Sequence, residues 1–416
     1  VTDLAWIEAA LVSARPKAVG ALLRHFRDLD TAEEAFQDAS LRALKHWPVN
    51  GPPRDPTAWL IMVARNAAID GKRRRAREAP LPEDERLSDL EDAESPLAER
   101  LDESDYRDDV LRLLFICCHP ALTLAQQIPL ALRIVSGVPV REIARAFLVG
   151  EAAMEQRITR AKARIAAAAL PFETPGAAER AERLGAVATM VYLIFNEGYS
   201  AAGHDRAASD RAALAGEAIR LARLLLRLFP TEPEIMGLTA LLLLQQARTP
   251  ARFDAGGAVI LLEEQDRGLW NRAMIAEGLA LIDKAMRHRA PAPYQVQAAI
   301  AALHARAARP EETDWPQIDR LYAALERMQP SPVVTLNRAV AVSKTRGAAA
   351  ALEMVEPLGD RLSGYFPFHG LKGALLRELG RIDEARSAFG RAIALAGTLA
   401  EAAHIRTHLD RLAKDS

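Results

Sequence analysis

The chain is poor in cysteine, with two in 416 residues, adjacent at Cys117 and Cys118. So sparse a set excludes a disulfide framework and fits a reducing compartment. Aromatic residues are only 5% of the total, while alanine, leucine and arginine crowd the sequence, which favours helices over sheets. Net charge is also lacking: 54 Lys+Arg stand against 55 Asp+Glu. No overall field steers a partner, so any nucleic-acid role must come from local patches. No run approaches the roughly 18 consecutive apolar residues of a membrane span. One apolar run, Leu238 to Leu244, reads as buried core. The start carries Asp3 and Glu8 in place of a basic segment followed by an apolar run, so no signal peptide is expected and a cytoplasmic protein is the default. Gly-rich phosphate loops, nucleophile elbows and H-E-x-x-H helices are missing too, and no enzyme is expected.

What is present is 50% hydrophobic and 26% charged, a globular composition at a length that predicts two to four domains. The sharpest boundary is electrostatic. Arg65, Lys72, Arg73, Arg74, Arg75 and Arg77 face a single acid, Asp70; from Glu83 to Asp109 there follow thirteen acids against three arginines. The acidic stretch lacks an apolar period and reads as a solvated linker. The expected organisation is all-α: a helical module at 1–80, an acidic linker at 81–105, a second module at 106–172 with helix-turn-helix cadence, a helical extension at 173–290 and helical repeats at 291–416. The repeat rests on Ala339, Ala351 and Val355 recurring as Gly373, Ala385 and Phe389, each 34 residues on. That is the tetratricopeptide length, with small residues where paired helices approach.

Three helices carry the candidate chemistry. Asp55-Pro56 predicts a helix start, and the helix after it sets Trp59, Leu60, Val63, Ala64, Ala67 and Ala68 on an apolar stripe. Asn66, Asp70, Arg73 and Arg77 share its polar face. Asn and Arg suit base edges, and the Lys72–Arg75 run suits phosphates; a solvated helix end with cations on its C-terminal dipole is an equal reading of that helix alone. Upstream, Asp30-Thr31-Ala32-Glu33-Glu34 predicts overlapping capping boxes. They open a helix with Phe36, Ala39, Ala43 and Trp47 inward and Glu33, Glu34, Gln37, Asp38 and Arg42 outward. In the second module Val140 to Phe147 predicts a short helix, Leu148-Val149-Gly150 a turn, and Glu151 to about Ala168 a longer helix. Its buried stripe is Met154, Ile158, Ala161 and Ile165, and Gln156, Arg157, Arg160, Lys162 and Arg164 project outward, the geometry of a major-groove reader.

Taken together, the two modules resemble the paired regions of a bacterial sigma-70 family factor of the extracytoplasmic-function type. Thr31 to Ala39 is similar to the family's polymerase-binding helix, and Pro56-Thr57-Ala58-Trp59-Leu60 through Ala64 to Asp70 to its minus-ten helix. Glu142-Ile143-Ala144-Arg145-Ala146 and Arg157 to Arg164 resemble its minus-thirty-five helix-turn-helix. The rest resembles a sub-group with a long helical extension ending in tetratricopeptide-like repeats, on Leu193 to Ser200, Leu262 to Arg267, Ala298 to His304, Leu336 to Ala341 and Cys117-Cys118-His119-Pro120. The resemblance implies core RNA polymerase and promoter DNA as partners, with an unknown protein or small ligand at the repeats, no membrane and no cofactor. It assigns polymerase binding to Glu33, Glu34, Gln37, Asp38 and Leu41. Minus-ten contacts fall to Trp59, Arg65, Asn66, Asp70, Lys72, Arg73, Arg74 and Arg77, with the loop Asn50–Asp55 beside them. Minus-thirty-five contacts fall to Arg141, Glu155, Gln156, Arg157, Arg160, Lys162 and Arg164.

The sequence departs from the family at three places. Leu148 stands where the turn usually has glycine, Glu155 puts an acid on the recognition helix, and Pro129 falls inside a helical stretch, where it kinks or starts the helix. Cys117, Cys118 and His119 are too closely spaced to converge on zinc and read as buried thiols. His204-Asp205 with Glu263, Glu264 and Asp266, joined by Asn196 to Tyr199, reads as helix-end polar residues or, with Trp270, as a small-ligand pocket. Two other classes stay open: a conventional helix-turn-helix regulator with a repeat sensor domain, and a repeat scaffold with incidental basic patches.

Overall fold

A computed structural model describes residues 5–75, 103–168, 177–199, 206–254, 259–397 and 399–414. They form helices, turns and one isolated antiparallel bridge, Phe253 to Val259, and the fold is all-α, with two small helical domains followed by a helical C-terminal domain. Two compact units divide the chain, residues 1–194 and 195–416. The expected acidic linker lies almost wholly outside the described residues.

The first unit opens with α1 (Ala5–Phe26), α2 (Leu29–Asn50) and α3 (Pro56–Arg75). Their core is tryptophan on alanine. Trp47 and Trp59 meet edge to face at 5.3 Å and Trp6 stacks on Trp47 at 5.9 Å, while Ala32, Ala39, Ala43, Ala58 and Ala64 are fully buried and let the helix axes close around the rings. Asp55 starts α3 as expected, accepting from the N–H groups of Thr57 (2.8 Å) and Ala58 (3.1 Å), with Pro56 at the first position. The start of α2 differs from expectation. Its cap is Asp28, extended at φ −140°, which accepts from the Thr31 N–H at 2.7 Å. Arg27, at φ 55°, has already turned the chain out of α1, so the cap falls two residues before Asp30.

The second module is α4 (Glu103–Cys117), α5 (Leu124–Ala131), α6 (Val140–Ala146) and α7 (Glu151–Ala167). Pro129 does not start a helix: it lies inside α5, which widens into a π turn at Leu132–Ser136. Met154, Ile158, Ala161 and Ile165 are all buried, as the 3.6-residue period predicts. Phe147, expected inward on the short helix, caps it half-buried. The unit continues into α8 (Ala177–Tyr199), where Cys118 Sγ lies 3.4 Å from Met190 Sδ.

In the second unit α9 (Arg206–Leu228), α10 (Pro233–Gln246), α11 (Arg272–Met286) and α12 (Pro293–Arg306) surround an almost wholly buried α10. After α13 (Trp315–Met328) come α14 (Pro332–Arg346) and α15 (Ala348–Val355), then α16 (Phe366–Glu378) and α17 (Ile382–Leu395), and α18 (Leu399–Lys414) ends the array. The starts of α14 and α15 recur 34 residues later as those of α16 and α17. Ala339, Ala351, Val355, Ala385 and Phe389 are each 0% exposed in one shared core.

Candidate nucleic-acid interface

Charge and exposure sort the site residues of the first unit into three groups. On α7, Glu155, Gln156 and Arg160 are exposed and, with Ala152 and Thr159, line one open depression on a single face. Arg157 is half-buried, Arg141 is exposed at the start of α6, and exposed Arg164 donates to Gln126 Oε1 at 3.2 Å. The turn that aims this helix ends α6 in a Schellman motif: the Leu148 N–H donates to Arg145 and the Val149 N–H to the Ala144 carbonyl. Leu148 sits at φ 52°, the conformation for which glycine is the usual residue, so the departure leaves the turn geometry in place.

The second group is on α2. Glu34, Gln37, Asp38 and Leu41 are exposed on its outer face, and Leu44, 45% exposed beside Leu41 at 59%, extends it. Sequence periodicity passed over Leu44 because it reads as apolar filler.

Glu33 does not join that face. It is 4% exposed and points inward, a correction to the outward placement expected for it. Its carboxylate receives Lys162 Nζ at 2.8 Å, Arg133 Nε at 2.9 Å and an Arg15 guanidinium nitrogen at 3.4 Å. Lys162 also reaches Asp30 at 2.6 Å. Burial alone pushes the Lys162 ammonium down, but the hydrogen bonds to Asp30 and Glu33 outweigh it and hold it above the ordinary lysine value. Arg15 is pushed down to about 10 by burial, against the pull of Glu33. Its other donors go to the carbonyls of Ile134 and Arg133, both at 3.0 Å, in the π turn. A residue expected at polymerase and one expected at DNA are therefore each other's partners across the two modules.

On α3, Trp59 is 1% exposed within the tryptophan core; its expected DNA contact is corrected to a packing role. Asn66 is exposed and Arg65 half-buried. The side chains of Asp70, Lys72, Arg73 and Arg74 and the whole of Arg77 fall outside the described set.

The rejected clusters resolve separately. Cys117 and Cys118 are buried, and burial drives both thiols up, Cys118 to about 12, leaving little thiolate at neutral pH. Glu263 pairs with Lys344 at 2.9 Å and Asp266 caps a short turn through the Gly268 N–H, while His204 and Asp205 lie outside the described residues. Among the described residues no three His, Cys, Asp or Glu converge on a metal position. Arg252 lies 3.7 Å over the Tyr199 ring and Arg267 5.0 Å over Trp270. Each also donates to backbone carbonyls near a helix end, Tyr199 at the end of α8 for Arg252 and His304 and Ala307 at the end of α12 for Arg267, which accounts for both as helix clamps. No helix among the described residues is long and apolar enough to cross a membrane.

Comparison with known proteins adds three matches along the chain. Residues 11–78 match sigma-70 region 2, residues 112–165 match sigma-70 region 4, and residues 183–286 match a family of unknown function, DUF6596. An uncharacterized protein of Rhizobium meliloti (strain 1021) is 71% identical over 415 residues, spanning 100% of this chain and 98% of that protein. The region 2 match falls on α1–α3 and the region 4 match ends on α7, with its exposed Gln156 and Arg160, so the first part of the chain carries sigma-70 region 2 and region 4 domains.

Proposed function

We propose that the chain is a sigma factor of the extracytoplasmic-function type that directs core RNA polymerase to specific promoters. The observation that carries this reading is the α7 face, where Glu155, Gln156 and Arg160 stand exposed after a tight turn, in one compact unit with the acidic face of α2. Gln156 and Arg160 suit base edges in a major groove, each good contact being worth roughly 1–3 kcal/mol of discrimination. Glu34, Gln37, Asp38, Leu41 and Leu44 offer a mixed polar and apolar surface for polymerase, and α3 with the loop before it meets the minus-ten strand. The chain makes no bond itself; nucleotidyl transfer is the polymerase's, in the cytoplasm. The 34-residue recurrence of helix pairs supports reading the C-terminal array as tetratricopeptide-like, and this half regulates the first in cis. Removing residues 195–416 should change promoter output at equal abundance.

The test is reconstitution of the full-length protein with core polymerase on the promoter region of its own operon. Specific transcripts are expected, and Asp38→Arg should abolish them. Asp38 is the proper control because it is exposed, whereas altering buried Glu33 would disturb the packing rather than the exposed face. Salt-sensitive duplex binding with no polymerase complex would instead mark a conventional helix-turn-helix regulator.

A further inference from the structure

A cavity of about 320 Å³ opens between the end of α1 and the middle of α3, lined by Ala21, Arg24, His25, Arg27, Ile61 and Arg65. Four of the six carry or can carry positive charge, and among the described residues the lining holds no carboxylate. Arg24 is partly compensated from behind by Asp109, at 3.4 Å, and the His25 ring meets Phe26 edge to face. Arg27 and Arg65 are different: neither forms an ion pair or a side-chain hydrogen bond with any described residue. The acid next in sequence, Asp28, is turned away to cap α2 through the Thr31 N–H and hydroxyl.

Complementing the α1 dipole explains Arg24 and His25. It does not explain Arg65, which comes from mid-α3, nor the backbone at Arg27. Arg27 sits at φ 55° with its N–H donating to the Leu23 carbonyl at 2.8 Å, the left-handed helix cap that glycine usually supplies. An arginine placed where glycine costs less, with no side-chain partner among the described residues, beside a second such guanidinium, suits an anion. Two guanidinium groups lining one cavity, one just past the end of α1 and one on α3, fit the oxygens of a phosphate.

We propose that this cavity holds a backbone phosphate of the promoter strand, extending the DNA surface of the first module from α3 to the end of α1. The proposal rests on the sigma-factor reading, and it deepens that reading by adding Arg27, which sequence patterning did not single out. Such a contact positions the strand without reading it.

The test uses Arg27→Gly, which removes the cation while relieving the left-handed backbone, with Arg27→Lys as the charge-retaining partner. For the full chain with core polymerase, the slope of log binding constant against log salt should fall by roughly 0.7–0.9 in Arg27→Gly, the value of one phosphate contact, and Arg27→Lys should keep most of it. Wild-type initiation with an unchanged slope in Arg27→Gly would overturn the proposal and leave the sigma-factor reading standing. A second arm needs no polymerase: the melting temperature of the free protein in inorganic phosphate against chloride at matched ionic strength. Wild type should rise and Arg27→Gly should not. If wild type fails to initiate yet shows that Arg27-dependent rise, the phosphate site stands and the promoter reading falls; no rise and no slope change removes the site.

Discussion

Leu148 shows how a residue that breaks a pattern keeps the geometry the pattern serves. At φ 52° it pays for a left-handed backbone, and at 69% exposure its side chain buries little in return. Leu148→Gly should therefore stabilise the protein by about 0.5–1 kcal/mol, relief of the left-handed conformation exceeding glycine's entropy cost; chemical denaturation reads this directly. Gly380, at φ 73° in the same motif at the end of α16, already has the favoured residue. His304 supplies a second expectation. Burial, with Arg248 and Arg267 nearby, lowers its pKa from 6.5 to about 4. Below pH 6.5 the unfolded chain binds a proton that the folded chain refuses, so stability is lost as pH falls from about 6.5 towards 4. His304→Gln should flatten that part of the urea-midpoint profile relative to wild type; an unchanged profile would mean the ring does not titrate differently on folding. Neither effect is legible in the sequence, since both depend on what lies around one side chain.

At the scale of elements the pattern of apolar residues carried most of the fold. The α7 stripe, the Asp55-Pro56 start and the 34-residue recurrence are all local or periodic features, and periodicity reports which face is buried whatever it is buried against. The misplaced start of α2 shows the limit: Asp28 and Asp30 are equivalent by composition, and only the turn made by Arg27 selects between them. Close helix approaches are likewise invisible until partners are known. A Cβ on Gly237 in α10 would lie 2.6 Å from the Gln295 backbone nitrogen and 2.8 Å from its Cα in α12, and backbone cannot swing aside. Gly237→Ala should cost about 1–3 kcal/mol by overpacking. Gly185→Ala on α8, with nothing within 4 Å, should instead gain up to about 1 kcal/mol of helix propensity. Thermal denaturation of the pair separates packing from propensity; equal shifts would contradict the close α10–α12 approach.

At the scale of the first unit, the decisive contact joins residues 18, 100 and 129 positions apart around one buried carboxylate, Glu33, through Arg15, Arg133 and Lys162. Composition gives no hint of it, because a glutamate at the edge of the apolar arc of α2 reads as exposed and only the fold brings three cations to it. Its energetics are asymmetric. Removing Glu33 strands three partly buried cations and should cost about 3–5 kcal/mol, whereas removing Arg133 leaves Glu33 with two partners and should cost less. Arg133 stands outside the residues assigned to polymerase or DNA, which makes Arg133→Met the informative change. Lys162 is half-buried and spends two of its three N–H donors and its charge on Asp30 and Glu33, so promoter engagement by this lysine is expected to be favoured when the two modules part. Loosening the cluster at Arg133 should lower hydrogen-exchange protection in both α2 and α7, and should strengthen DNA binding by the free protein at low salt. Lost protection confined to the π turn at Leu132–Ser136, with DNA binding unchanged, would show that the carboxylate cluster does not hold the modules together and that Lys162 is released by other means.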